Sequence, residues 1–111
     1  MKRTPLRRVG RRQRRFATAD RRAARETKLH PCVCGCPDPP QWAHLESRAY
    51  EKTRHAGWNR IPACHALHRW LDRDPQGVQA RRVLRTTARE LGRMLTAEET
   101  RLTLRQFGYR T

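Results

Sequence analysis

Four cysteines constrain this chain more than any other feature, because three of them fall within the nine residues "CVCGCPDPP" at 32–40. Three prolines in the same stretch exclude the interior of a helix or a central strand. The stretch therefore reads as a metal-binding turn. Cys32, Cys34 and Cys36 together with Cys64 supply four thiolates, the number a tetrahedral structural zinc takes. The C-x-C-x-C spacing is tighter than the usual C-x-x-C knuckle. His30 or His65 is accordingly a substitute for one sulfur, and a free thiol at Cys34 or Cys36 is the alternative to a full set.

A zinc staple matters for a chain of this make-up. Only 36% of its 111 residues are hydrophobic, with three Trp, two Tyr and two Phe. Such a chain buries a modest core and gains from a metal cross-link. The opening "MKRTPLRRVGRRQRRF" is basic but carries no apolar stretch, so it does not read as a secretory signal. Reduced, metal-competent cysteines and a cytoplasmic location are expected. No run of about 18 apolar residues occurs, so no membrane span is expected.

Lys and Arg number 26 against 10 Asp and Glu, a formal net charge of +16. That surplus points to a polyanionic partner, most simply nucleic acid. Residues 1–28 hold 12 basic and 2 acidic side chains, a net of +10, so the excess concentrates at the start. We expect residues 1–15 to be a basic disordered arm, with Arg7, Arg8, Arg11, Arg12, Arg14 and Arg15 contacting phosphates. A solubilising tail is the plainer alternative.

One domain is expected over 16–111. "FATADRRAARETK" (16–28) has no breaker and reads as a helix ended before Pro31. "QWAHLES" and "NRIPAC" read as two short strands around a loop at 49–58, with Pro62 limiting the pairing of the second. His65 to Asp72 suits a helix. Pro75 and Gly77 read as a break. Ala80, Leu84, Ala88, Leu91 and Leu95 then mark the apolar face of a helix over 78–95. Thr96 with Glu99 forms a capping-box pattern opening a last helix to about Phe107, which Gly108 stops. The apolar stripe serves as core or, alternatively, as a protein-partner surface.

The spacing of His44, Asn59, His68 and Asp72 carries the chemistry. His68 and Asp72 stand at i and i+4, so a helix puts them on one face, where they can share a cation. His44, on the preceding strand, can act as general base toward a water. Asn59, at the far end of the loop, can fix that loop and the orientation of His44 by hydrogen bonds. Arg48, Lys52, Arg54 and Arg60 surround this set as candidate phosphate contacts. His55 reads as a loop or DNA-facing residue, and Trp42, Trp58 and Trp70 as small-core residues.

On these residues the sequence resembles the HNH endonuclease family. "WAHLESR" is similar to the phage-type segment "AHxxSR", and "NRIPACHALH" to "N-x-x-P-L-C-x-x-C/H-H"; the likeness covers roughly residues 30–73. The opening "MKRTPLRR" also looks like the basic starts of small phage recombination-associated members. The resemblance implies a ββα-metal hairpin-plus-helix core within 30–73; with the structural zinc and the helices read above, the expected fold is α+β, that core flanked by an N-terminal helix and by C-terminal helices at 76–107. It implies His44 as the catalytic histidine, Asn59 as the middle asparagine and His68 as the last metal-binding histidine. Asp72 falls where many members have another metal-binding histidine. Two departures stand out. Ala43 occupies the position of a common metal ligand before the catalytic histidine, and Leu67 that of a common zinc cysteine.

The expected activity is metal-dependent hydrolysis of DNA phosphodiester bonds with low sequence specificity. Mg²⁺, Mn²⁺ or Zn²⁺ would serve at His68 and Asp72, and the location would be a bacterial host cytoplasm if the chain is phage-encoded. DNA is the favoured partner, with RNA open, and duplex, branched and single-stranded substrates are equally admissible. The rivals are a zinc-stapled nucleic-acid-binding protein without cleavage, and an assembly or packaging accessory that docks a partner through its C-terminal helices.

Overall fold

The computed structural model describes residues 18, 21–46, 53 and 56–111. Among these lie two antiparallel strands and four helices. Helix α1 includes residues 18 and 21–27; residues 16–17 and 19–20 of its expected span and the arm expected at 1–15 lie outside the described residues. The Cys-rich turn follows. Strand β1 (Gln41–His44) pairs with β2 (Arg60–Ala63), with Gln41 opposite Ala63, Trp42 opposite Pro62, Ala43 opposite Ile61 and His44 opposite Arg60. Helix α2 (His65–Arg73) begins two residues after β2 ends, and α3 (Pro75–Leu91) and α4 (Ala97–Gln106) complete the chain.

Strand alternation sets which side chains enter the core. Ala43 of β1 is buried between its flanking half-buried neighbours Trp42 and His44. Ile61 and Ala63 of β2 join it, and Pro62 keeps a structural use despite its missing N–H, because its carbonyl accepts from Val33 N at 2.9 Å. Leu67 and Leu71 of α2, Ala80, Leu84 and Ala88 of α3, and Leu104 of α4 complete one continuous core with Cys32, Val33 and Leu45. The apolar stripe of the C-terminal half is thus mostly spent inside the molecule. Leu91 departs from that stripe and stands exposed, while Leu95 is buried beyond the helix end. Gly92, whose φ of 67° puts it in the left-handed region, ends α3 four residues before the expected boundary, so Leu95 joins the core from outside the helix.

The start of α3 also differs from the expectation of a break at Pro75 and Gly77. Asp74 ends α2 and caps α3, its Oδ1 accepting from Gln76 N at 2.8 Å and Gly77 N at 3.4 Å. Pro75 sits in the first turn, where its absent N–H costs nothing. Gly77 is buried against α2, and a Cβ there would overlap the backbone carbonyl of Trp70. Gly77 is therefore the contact point of the two helices. Gly77→Ala should destabilise the protein by about 3 kcal/mol, the upper end of overpacking costs. Thermal denaturation of the metal-loaded protein should read this as a Tm drop of roughly 10–20 °C.

The last helix opens as the sequence indicates. Thr96 Oγ1 accepts from Glu99 N at 3.1 Å, and Glu99 Oε1 accepts from Thr96 N at 2.9 Å. Arg93 pairs with the same carboxylate at 2.8 Å, and together these contacts hold Glu99 at a pKa of about 2. Gly108, with φ of 89°, follows the end of α4.

Candidate metal centre and the neighbouring hairpin site

The turn at 32–36 closes with Gly35 N donating to Cys32 O at 3.0 Å, and Gly35 takes a φ of 85° that lets the chain double back. This compact turn aims three alternate cysteines at one point. Cys64 comes from the junction of β2 and α2, where it is the N-cap of α2 and its sulfur accepts from Leu67 N at 3.4 Å. The Cys32 sulfur accepts from Cys64 N at 3.1 Å. The sulfurs of Cys32 and Cys34 lie 3.2 Å apart, those of Cys34 and Cys64 3.9 Å apart, and all four within 4.8 Å of one another.

These separations suit a tetrahedral ion. At a Zn–S bond of about 2.3 Å, sulfurs at the corners of a regular tetrahedron sit about 3.8 Å apart. The thiols alone are poorly placed to carry four negative charges. Burial pushes Cys32 and Cys34 up, while Cys36, stabilised by a hydrogen bond from Cys34, is lowered. A bound cation resolves that conflict, since metal ligation and thiol deprotonation are linked. The cluster can hold a structural metal ion, and its all-sulfur donor set is consistent with zinc. All four cysteines converge, and neither histidine offered as a substitute is in the cluster. His30 instead packs against Trp42 with ring centroids 5.4 Å apart, and His65 is exposed at the start of α2. Leu67, where a zinc cysteine was the common pattern, contributes its backbone N–H to Cys64 and its side chain to the core.

The cluster is tied to distant parts of the chain. Arg101 of α4 donates from Nε to Val33 O at 2.8 Å. Tyr109, after α4, is pushed up to about 12 by its burial and then by the charge of the Cys64, Cys34 and Cys32 sulfurs. Nothing local in the sequence signals either link, because both span more than forty residues.

The hairpin carries the second group of residues. His44 ends β1, half-buried, directly across from Arg60. Asn59 immediately precedes β2 and is fully buried. Its Oδ1 accepts from Glu46 N at 2.5 Å, and its Nδ2 donates to Thr53 O at 2.8 Å and Glu46 O at 3.4 Å. The side chain thereby grips the segment after β1 and a point midway along the loop. Replacing Asn59 by Leu keeps much of the volume but leaves one N–H and two carbonyls without these partners. The expected cost is about 3 kcal/mol, read as a lower denaturation midpoint with an unchanged m-value.

His68 and Asp72 share a face of α2, with Nε2 and Oδ2 3.5 Å apart. Asp72 Oδ1 accepts from Arg81 of α3 at 3.0 Å, which fixes the carboxylate from behind. Donors held by one small cation at about 2.0–2.2 Å from each lie about 3–3.5 Å apart, so this pair fits a two-donor share of a coordination shell. Ala43, in the core, adds no third donor.

The remaining candidates divide. Arg7, Arg8, Arg11, Arg12, Arg14, Arg15, Arg48, Lys52, Arg54 and His55 lie outside the described residues. Arg60 is engaged within the protein: its guanidinium pairs with Glu26 of α1 at 3.0 Å and lies over the Trp42 ring at 4.4 Å. Trp42 in turn donates from Nε1 to Ala23 O. These contacts dock α1 on the hairpin. Sequence reasoning passed over Glu46, whose backbone meets Asn59 and whose carboxylate pairs with Arg89 of α3 at 3.2 Å. That pair joins the C-terminal half to the foot of the loop, and its partners are 43 residues apart. Comparison of the chain with protein-family models, curated proteins and solved structures finds no match.

Proposed function

We propose that the protein is a metal-dependent endonuclease of the ββα-metal type acting on DNA. The observation that carries this reading is Asn59. It is a fully buried polar side chain whose hydrogen bonds hold the loop that runs from His44 back to β2. The His68–Asp72 pair follows on the next helix. A strand ending in histidine, a pinned loop, a returning strand and a helix with two cation donors is the order this chemistry uses.

In this reading His68 and Asp72 hold a divalent cation, with water and DNA oxygens completing its shell. The cation, when bound, supplies electrophilic stabilisation of the phosphate and of the departing 3′-oxygen. An imidazole nitrogen of His44 takes the proton of the attacking water. Attack at phosphorus leaves 5′-phosphate and 3′-hydroxyl ends. Arg81 keeps the Asp72 carboxylate oriented, and Asn59 keeps the His44 end of the loop in register. The surplus of arginine provides affinity that ignores sequence and weakens steeply with salt.

The test is incubation of supercoiled plasmid and a branched oligonucleotide junction with the zinc-loaded protein in Mg²⁺ or Mn²⁺. Nicking that depends on the added cation supports the reading. Tight binding with no cutting in any divalent metal would instead favour a zinc-stapled nucleic-acid-binding protein, the reading that Ala43 supports by offering the cation no third ligand.

A further inference from the structure

The corner between α2 and α3 holds a feature that neither the zinc centre nor the hairpin site uses. It is an open hollow of about 400 Å³ lined by Arg69, Trp70, Arg73, Asp74 and Pro75. We propose that this hollow takes one unpaired nucleotide of a single-stranded nucleic acid, with phosphate on Arg69 and Arg73 and the base on the Trp70–Pro75 wall. The proposal rests on the nucleic-acid reading above and adds a preference within it.

Arg69 and Arg73 stand at i and i+4, so they project from one face of α2. Both are exposed, and neither has an ion pair among the described residues. That sets them apart from Arg60, Arg81, Arg89 and Arg93, which all hold carboxylates. The one acidic residue of the hollow, Asp74, has its Oδ1 committed to the first amides of α3. Two cations thus face one carboxylate already engaged at a helix N-terminus, and the hollow favours an anion.

Charge alone would suit any polyanion. The wall narrows the choice. Trp70 is half-buried and braced from one side by Tyr109, with centroids 4.8 Å apart, so the ring is fixed before a ligand arrives. Pro75 extends the apolar surface. An aromatic ring beside paired arginines is the combination that holds a base by stacking and its phosphate by charge. Bases inside a duplex keep their faces stacked on one another and cannot use such a wall.

Fluorescence anisotropy on the zinc-loaded protein tests this with three labelled probes: a ten-residue oligothymidylate, an abasic strand of equal length and charge, and a hairpin duplex. For Arg69→Gln with Arg73→Gln, binding of the oligothymidylate should weaken by about tenfold or more, and duplex binding by less than about threefold. The slope of log affinity against log salt for the single strand should shrink by about 0.7, one phosphate's worth. Arg82→Gln with Arg110→Gln removes two exposed arginines that do not line the hollow, and should leave the preference for single strand intact. Equal losses on single strand and duplex would overturn the proposal, as would an abasic strand bound as tightly as the oligothymidylate by the wild type. Unchanged binding of all probes by the Arg69/Arg73 variant would overturn it while leaving the nucleic-acid reading standing. A wild type that binds none of the probes would overturn both.

Discussion

Stripping the metal with a strong chelator should unfold the protein outright. The free energy of structural zinc binding in small domains is about 10–16 kcal/mol near neutral pH, while the whole stability of a small domain is about 5–15 kcal/mol. Here the cysteine cluster that can hold the ion joins the Cys32–Cys36 turn to the β2–α2 junction, thirty residues apart. Through Val33 it also secures the contact of α4 by Arg101. Buried thiols left without an ion retain the desolvation that raises Cys32 and Cys34, and the core around them is small. Circular dichroism during chelator titration should lose its helical signal cooperatively and regain it on adding one equivalent of Zn²⁺. Cys34→Ala should abolish stoichiometric zinc retention, measured by metal analysis after gel filtration. A chain that keeps a cooperative melt after complete metal removal would show that the cysteines pack as ordinary thiols and that the staple is dispensable.

What the sequence revealed was what short range decides. Thr96 and Glu99 meet within one turn, so their capping box could be read directly, and Gly108 could be read as a stop for the same reason. Both strands lie within the short stretches expected to hold them, though each is shorter, and α2 opens at His65 as expected. Cys32, Cys34, Cys36 and Cys64 converge as their number and the proline-rich turn indicated. Gly92 shows the limit of periodicity. Leu91 and Leu95 continue the spacing of Leu84 and Ala88, yet a left-handed glycine ends the helix between them, and Leu95 reaches the core from beyond it while Leu91 is exposed. Pro75 and Gly77 look like a break but belong to a corner, since Asp74 caps the second helix and Gly77 lets it pass close to the first. Partners such as Glu46 with Arg89, or Arg60 with Glu26, arise from folding distant segments together, and no local pattern marks them. The metal centre was therefore more legible than the hairpin site, where residue types were visible and their attachments were not.

The second large effect concerns His44. If it is the base of the proposed nuclease, His44→Ala should lower the rate of plasmid nicking by about 10²–10⁴-fold, the usual worth of a general base. DNA affinity and zinc content should stay the same. The substitution suits the question because His44 is half-buried at the end of β1 and lies outside the hydrophobic core, so the ladder to Arg60 can persist without its ring. His68→Ala should act differently. It removes one of the two donors proposed for the cation, so its defect should shrink as Mn²⁺ is raised, whereas that of His44→Ala should not. Asn59→Leu should lower both stability and rate, because it loosens the loop that follows His44. Three variants thus separate proton transfer, cation holding and loop geometry by three readouts. Nicking by His44→Ala at the wild-type rate would remove the base from this residue. An equal response of His44→Ala and His68→Ala to Mn²⁺ would place both histidines in one role, which the opposite ends of a hairpin and a helix would then have to explain.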